Sequence, residues 1–300
     1  MSDVNKIKHG GQVTAIISII MLIISTFLCF LPILFIGLFK LIPHKGWQTQ
    51  CTRLIDAIAS FWSSINNFFI NRTQKIHWQI SGLENLHRNS WYLVTANHQS
   101  WLDIVILQRL FNRKIPVLKF FIKDQLKWVP LLGFAWWAMG CPFMKRYSKQ
   151  YLKKKPHKQG KDLKATEKSI ELFKRAPTSI INFLEGTRFH PQKQQVQQSP
   201  YQHLLKPKAG GISYVLATMG TKINNILDVT IIYPEGRHSL WDFLCCRIHA
   251  IQIKIRQIPI PQDFLKPDIL NNEQKQVAFR AWLNQQWFEK DQLINTMKLS

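Results

Sequence analysis

Residues 91–103 read Trp-Tyr-Leu-Val-Thr-Ala-Asn-His-Gln-Ser-Trp-Leu-Asp, an apolar run followed at once by polar side chains. The apolar run, residues 91–96, predicts a buried strand. Ser100 followed three residues later by Asp103 is typical of a helix start, because the hydroxyl can cap the first turn and an acid is favoured there. We therefore expect a strand, a turn and a helix, which together are the repeating unit of an α/β protein.

The turn between that strand and helix can bring an imidazole and a carboxylate together. His98 and Asp103 are five residues apart, and on one continuous helix such positions point about 140° away from each other. They can meet only if His98 lies in the turn, at the carboxyl end of a strand, where open α/β sheets bind ligands. A structural hydrogen bond and a pair of metal ligands remain alternative interpretations of this pair.

The composition predicts an anionic partner. The chain has 300 residues, of which 46% are hydrophobic, enough for one large domain or two small ones. It carries 40 basic and 17 acidic residues, a formal net charge of +23, which suits nucleic acid, an anionic membrane surface or a phosphorylated substrate. The chain contains no recognised nucleic-acid motif, so we expect no nucleic-acid partner. The densest basic patch, residues 145–164, is expected to be a solvated loop that anionic lipid headgroups would attract.

The amino-terminal segment predicts a membrane anchor over residues 1–72, followed by a folded domain over 73–300. Residues 13–42 contain no charge except Lys40, and as one helix they would be ~45 Å long, against about 30 Å for the hydrocarbon core of a bilayer. Residues 46–71 have the apolar spacing of an amphipathic helix. Basic residues flank the apolar helix on both sides, so a single span and a re-entrant hairpin both remain open. The amphipathic helix could instead pack on the core of the folded domain.

The five cysteines show neither a disulfide framework nor metal-like spacing. This pattern predicts reduced, structural thiols in a protein that faces the cytoplasm.

Strands and helices are predicted to alternate over the folded domain. Strands are expected at 75–81, 91–96, 115–121, 141–145, 179–184, 227–233 and 248–258, and helices at 100–111, 125–138, 162–175, 211–219 and 274–290. The alternation predicts an α/β layered domain with a central, mostly parallel or mixed sheet flanked by helices. The Gln-rich stretch 192–202 is expected to be a mobile polar loop.

Further charged clusters follow other predicted strands. Residues 185–188, Glu-Gly-Thr-Arg, follow the strand at 179–184; the glycine suits a tight turn and Arg188 offers a donor fork suited to phosphate. Residues 206–211, Lys-Pro-Lys-Ala-Gly-Gly, precede a helix whose amino terminus could bind an anion. Lys123 and Arg146 are two further cations near apolar runs. Each cluster alone could be ordinary surface charge.

Together these motifs resemble those of the glycerolipid acyltransferase superfamily, the 1-acylglycerol-3-phosphate O-acyltransferases. The N-H-x-x-x-x-D motif of that family stands at 97–103 and its E-G-T-R motif at 185–188, while looser matches stand at 140–146 and 229–234. Lys123, ahead of a Pro-x-x-Gly segment, also fits. The resemblance extends over about residues 75–260 and is greatest to the branch that includes lysocardiolipin acyltransferases and similar bacterial proteins.

The resemblance implies a membrane-bound enzyme that moves a fatty acyl group from an acyl thioester to the free hydroxyl of a lysophospholipid such as 1-acylglycerol-3-phosphate. The donor would be acyl-CoA or an acyl carrier protein, and no metal or redox cofactor is implied. His98 would be the general base and Asp103 would orient it. The substrate would be bound by Lys123, Arg146, Glu185, Gly186, Thr187, Arg188 and Lys208.

Membrane lipids are the expected partners, and the expected location is a bacterial inner membrane with the catalytic domain on its cytoplasmic face. Two other functions remain open: a metal-dependent hydrolase, and a non-catalytic membrane-anchored basic protein that binds anionic lipid.

Overall fold

The computed structural model describes residues 2–144, 170–171, 173–236 and 238–299. Within them, eight strands occupy positions close to those predicted: β1 His77–Ser81, β2 Tyr92–Ala96, β3 Leu118–Phe120, β4 Ile122–Lys123, β5 Phe143–Met144, β6 Ser179–Phe183, β7 Asn225–Ile232 and β8 Ala250–Pro259. Six of them form the central sheet in the order β1-β8-β7-β2-β6-β3, and β4 pairs with β5 in a small separate sheet.

The central sheet is mixed, as predicted. Strand β2 lies in the middle and pairs in parallel with β6 and β7, and β3 pairs in parallel with β6. Strand β8 runs antiparallel to β7, and β1 runs parallel to β8. Because β3, β6, β2 and β7 point the same way, their carboxyl ends share one edge of the sheet.

Helices cover both faces of this sheet. They are α1 Ser2–Phe39, α2 Lys45–Thr73, α3 Leu102–Phe111, α4 Leu132–Ala138, α5 Pro191–Gln197, α6 Ala209–Met219, α7 Leu240–Leu244 and α8 Glu273–Leu299. Successive residues of β2 point to opposite faces, so Leu93 joins the core beneath α6 and α8, whereas Val94 joins the core beneath α3. The α/β layered fold predicted from the sequence is therefore confirmed.

Helices α1 and α2 form a hairpin, joined through residues 40–44. Over Gly11–Phe39, α1 is long and apolar enough to cross a membrane by length and composition. The polar side of α2 attaches to the catalytic domain through an ion pair between Asp56 and Lys119 and a hydrogen bond of 2.7 Å from Arg109 to Asn71.

Part of the apolar side of α2 points away from the domain. Leu54, Phe61 and Phe68 are 54–55% exposed, although all three belong to the apolar stripe of the predicted amphipathic helix. The alternative prediction, that this stripe packs on the core of the domain, is therefore wrong for these three residues. The reason is that serine, asparagine and aspartate side chains of α2 make the domain contacts.

The single helix expected over residues 125–138 is broken into two. A 3-10 helix spans Asp124–Trp128, and α4 begins only at Leu132. Pro130 has no N–H to continue a helix, and Leu131 adopts a left-handed conformation with φ of 63°. Gly133 allows the close return of the chain, because a Cβ there would lie 2.0 Å from the Lys127 carbonyl oxygen.

Part of the Gln-rich stretch is helical, so the prediction of a loop over 192–202 is wrong for residues 192–197. It contains α5, which starts at Pro191 and ends before Gln198 in the left-handed conformation. The Gln194 amide then donates to the carbonyl groups of residues 201 and 202 at 2.7 and 2.8 Å. Buried Asp291 of α8 accepts the backbone N–H groups of residues 202 and 203 at 2.7 and 2.8 Å. Glutamine side chains here bond the backbone, which composition alone does not indicate.

Three predictions fall largely or wholly on residues that the structure does not describe. The helix at 162–175, the basic patch at 145–164 and Arg146 lie largely or wholly outside the described residues. Within that helix, Ile170 and Phe173 are buried in the core on the α6 side of the sheet.

Helix α8 continues to Leu299, beyond the end predicted at residue 290.

Candidate active site

His98 lies in the turn after β2, and its ring contacts Asp103 in the first turn of α3. His98 Nδ1 and Asp103 Oδ2 are 2.8 Å apart, and the two side chains are 14% and 1% exposed. The Gln99 and Ser100 N–H groups donate to the same oxygen at 2.6 and 2.8 Å. Because a carboxylate only accepts, Nδ1 carries the proton of the neutral ring and Nε2 is left as the acceptor.

The strands fix the plane of the His98 ring. The ring stacks on Phe183, the last residue of β6, with ring centres 4.1 Å apart and planes 20° apart. Phe183 pairs with Ala96 across the β2–β6 register, two residues before His98. The stacking and the Asp103 hydrogen bond together limit the ring to one orientation.

Glu185 is buried, whereas a residue that contacts substrate would have to be accessible. Its side chain is fully buried, and its two oxygens accept the N–H groups of His98 and Leu205 at 2.9 and 3.0 Å. Burial raises the pKa of Glu185 to about 7, although both backbone hydrogen bonds lower it. The expectation that Glu185 binds substrate directly is therefore wrong; it ties the His98 backbone to the loop before α6.

Two lysine side chains lie beside the rest of the Glu-Gly-Thr-Arg segment. Gly186 adopts a left-handed conformation with φ of 67°, and a Cβ there would lie 2.8 Å from Lys208 Nζ. Lys208 thus lies beside this segment, at the start of α6. Lys193 donates to the Thr187 hydroxyl at 2.8 Å, a contact that the sequence analysis missed.

Arg188 is exposed, with its guanidinium 5.4 Å from the centre of the Trp101 ring. An open cleft of about 290 Å³ lies against these two side chains. Its walls are Ser100, Trp101, Arg188, His238, Ser239, Leu240 and Asp242. The cleft therefore joins the turn that carries His98 to the guanidinium expected to bind phosphate.

Two expected substrate contacts are less closely associated with this cleft. Lys123 is exposed and follows the end of β3 by three residues, so it lies on the sheet edge that carries His98. It sits in the small β4–β5 sheet, opposite Met144. Arg146 lies two residues beyond that pair, outside the described part of the chain.

The end of β7 contributes contacts that the sequence analysis missed. The Asn97 amide exchanges two hydrogen bonds of 2.9 Å with the backbone of Ile231, which fixes the turn to this strand. Buried Tyr233 donates its hydroxyl to Asp103 Oδ1 at 2.6 Å. A tyrosine at the carboxyl end of the strand predicted at 227–233, on the same edge as His98, was the available signal.

A buried charged cluster connects α8 to β7 beneath the site. Lys290 is fully buried and donates to Asp228 Oδ1 at 2.8 Å and to the Val229 carbonyl at 2.7 Å. Arg256 of β8 bonds the other Asp228 oxygen at 3.0 Å. These contacts join segments far apart in the chain, so local sequence patterns did not reveal them.

The fold and this site define an α/β acyltransferase, and comparison with known proteins agrees. A family model described as acyltransferase matches residues 77–234, and the chain belongs to that family, within the glycerolipid acyltransferase superfamily. The crystal structure of the 1-acyl-sn-glycerophosphate acyltransferase PlsC from Thermotoga maritima shares the fold, with a TM-score of 0.53 and 16% identity over 94% of this chain and 97% of that one.

Individual relatives carry related names. The 1-acyl-sn-glycerol-3-phosphate acyltransferase epsilon of Mus musculus is 24% identical over 85% of this chain. The lysophosphatidylinositol acyltransferase 10 of Caenorhabditis elegans is 27% identical over 87% of it. The chain spans 69% and 66% of the length of these two proteins.

Proposed function

We propose that this chain moves a fatty acyl group from an acyl thioester to the free hydroxyl of a lysophospholipid such as 1-acylglycerol-3-phosphate. The observation that carries the proposal is the enclosed contact of 2.8 Å between His98 Nδ1 and Asp103 Oδ2 at the carboxyl edge of the sheet. The names of two relatives, which specify 1-acylglycerol-3-phosphate and lysophosphatidylinositol acyltransferases, support the acceptor class.

His98 acts as the general base in this proposal, and Asp103 orients it. His98 Nε2 takes the proton of the acceptor hydroxyl as its oxygen attacks the thioester carbonyl carbon, which forms the ester and breaks the carbon–sulfur bond. The thiolate then leaves and takes up the proton from His98 Nε2, which returns the imidazole to its neutral form. The acceptor hydroxyl is the nucleophile, so the enzyme needs no serine or cysteine of its own. Asp103 keeps the Nδ1 proton in place and stabilises the imidazolium as it forms.

Arg188 and Lys208 bind the phosphate of the acceptor. Arg188 offers a planar pair of donors at the cleft, and Lys208 Nζ lies at the Gly186 turn. Thr187, Lys123 and Arg146 remain further candidates. The donor is acyl-CoA or an acyl carrier protein, and the sequence favours neither.

The membrane arrangement completes the proposal, with residues 1–72 as the anchor and 73–300 as the catalytic domain. Helix α1 contacts α7 near its start, where Gly11 packs against Cys245, and contacts α4 near its end, where Gly37 packs against Phe134. A helix held by the domain at both ends favours a hairpin lying in one leaflet over a single span. Five free thiols support a catalytic domain on the cytoplasmic face, and we propose a bacterial inner membrane as its location.

Neither alternative function gains support. Among the described residues, no group of three or more His, Cys, Asp and Glu side chains is arranged to hold a metal ion, as a metal-dependent hydrolase would require. A lipid-binding protein without activity would account for the net charge of +23 but would not need a partly buried, oriented histidine.

A donor and acceptor panel tests the proposal. The purified full chain is incubated with acyl-CoA or acyl carrier protein thioesters and with lysophospholipids that differ only in headgroup, and the diacyl product is measured by mass spectrometry. We expect transfer to at least one lysophospholipid. Release of free fatty acid without any diacyl product would contradict the proposal, and so would a complete lack of turnover with every pair.

A further inference from the structure

Asp103 is held at both of its oxygens by different parts of the chain. Oδ2 contacts His98 Nδ1 and accepts the Gln99 and Ser100 N–H groups. Oδ1 accepts the Tyr233 hydroxyl at 2.6 Å. Among the described residues, the phenol is the side-chain donor at Oδ1, so it alone can hold this oxygen from outside the strand–turn–helix segment.

The phenol is placed rigidly. Tyr233 directly follows β7, and Asn97 locks the end of that strand to the His98 turn through two hydrogen bonds of 2.9 Å with Ile231. Burial and the neighbouring Asp103 carboxylate raise the pKa of Tyr233 well above its ordinary value. The hydroxyl therefore stays protonated at physiological pH and donates in one direction.

We propose that Tyr233 is a positioning residue of the acyl-transfer site: its hydroxyl fixes the Asp103 carboxylate so that Oδ2 faces His98 throughout the reaction. The inference rests on the proposed function for its catalytic meaning. Rotation of the carboxylate about its Cβ–Cγ bond would move Oδ2 away from the imidazole, and a hydrogen bond on Oδ1 opposes that rotation. The hydrogen bond also disperses negative charge that would otherwise act on the imidazolium.

The sign of the expected pH effect follows from this charge. Without the phenol, the Asp103 carboxylate keeps more of its negative charge for its remaining partners, so the His98–Asp103 pair takes up a proton more readily. The pH midpoint of the pair should rise. The other titratable groups that face this pair are Glu185, bonded to the His98 N–H, and His238, whose ring centre lies 6.1 Å from that of Tyr233. The midpoint must therefore be measured at His98 itself.

Tyr233→Phe removes the hydroxyl, and Tyr92→Phe is its matched control. Tyr92 is also a buried tyrosine of the central sheet, but its hydroxyl accepts the His87 N–H at 2.8 Å, away from Asp103. Both variants lose one hydroxyl and one hydrogen bond. The full-length proteins are compared in kcat and KM, and the pH midpoint for carbethoxylation of His98 by diethyl pyrocarbonate is measured by peptide mass spectrometry.

We expect Tyr233→Phe to lower kcat about 10-fold with KM changed less than about twofold, since one hydrogen bond to a charged group is lost. The pH midpoint for the modification of His98 should rise. Tyr92→Phe should change neither. If Tyr233→Phe folds poorly, 3-fluorotyrosine at position 233, which is a stronger donor, should lower the midpoint instead.

An unchanged His98 midpoint in Tyr233→Phe, or equal kcat losses in both variants, would show that Tyr233 only packs. The modification experiment needs no acyl transfer, so it tests the coupling to His98 even if the proposed function fails in the donor and acceptor panel.

Discussion

Two histidine–carboxylate pairs in this molecule have nearly the same contact distance and very different surroundings. His98 Nδ1 lies 2.8 Å from Asp103, and His249 Nδ1 lies 2.9 Å from Glu235. The side chains of the first pair are 14% and 1% exposed, whereas those of the second are 73% and 36% exposed. The contact distance therefore cannot distinguish a catalytic base from a surface ion pair.

The difference lies in how the carboxylate is held. Asp103 accepts four hydrogen bonds from the His98 turn and from Tyr233, and low exposure keeps its field strong at the imidazole. Glu235 is bonded by the ring and the N–H of His249 and lies 3.6 Å from His238 Nε2, and water screens the charge of the exposed His249–Glu235 pair. The first pair is oriented, and the turn and helix start that carry it also supply Ser100 and Trp101 to the cleft beside Arg188.

Replacing each histidine gives the largest contrast. His98→Ala should lower kcat about 10²–10⁴-fold, because a general base is lost, while His249→Ala should change it less than about twofold. Both variants should keep membrane association and the unfolding temperature of the wild type. Acyl transfer is measured in vesicles that contain the acceptor. Near-normal turnover by folded His98→Ala would contradict the proposed mechanism. A loss of kcat in His249→Ala as large as that in His98→Ala would show that low exposure does not distinguish the two pairs.

The sequence predicted the first pair because both residues belong to one strand–turn–helix segment. His98 and Asp103 are five residues apart, and the apolar run before them specifies the strand. Glu185 and Tyr233 reach the same turn across 87 and 130 residues. Those contacts depend on the β2–β6 and β2–β7 registers, which the apolar pattern of a strand does not determine.

The same limit explains two of the predictions that were wrong. The family resemblance implied that Glu185 binds substrate, but the strand end turns its carboxylate inward to the His98 N–H. The Gln-rich stretch was expected to be irregular, but α8 holds it through Asp291. Chain segments outside the motifs determine both outcomes.

Protonation of Glu185 should make stability depend on pH in a way that the exposed pair does not. Burial raises the pKa of Glu185 from 4.5 to about 7, so between these pH values the folded protein binds more protons at this group than the unfolded chain does. Its contribution to stability is therefore present at low pH and is lost as the pH rises through about 7. The expected change is about 3 kcal/mol between pH 4 and pH 8.

Glu185→Gln tests this, with Glu235→Gln as the control. The free energy of unfolding is measured by denaturant titration at several pH values. The Glu185→Gln deficit relative to wild type should shrink as the pH rises, whereas Glu235→Gln should keep the wild-type dependence. Parallel curves for wild type and Glu185→Gln would mean that burial does not shift this carboxyl.

Two arginines that accompany the two pairs give the smallest contrast. Arg188 lies exposed at the cleft beside Trp101, and Arg247 lies two residues before His249, where it pairs with Asp242 at 3.1 Å. Arg188→Ala should raise KM for a phosphorylated acceptor about 10-fold, the lower end expected for a lost hydrogen bond to a charged group, and should leave KM for the acyl donor within about twofold. Arg188→Lys should restore only part of the affinity, because lysine lacks the planar fork that matches a phosphate. Arg247→Ala should leave both constants near wild type.

Initial rates over a matrix of donor and acceptor concentrations separate the effects on the two KM values. Equal increases in both KM values of Arg188→Ala would assign Arg188 to the fold or to the donor. The contrast between Arg188 at the cleft and Arg247 at the surface would then be lost.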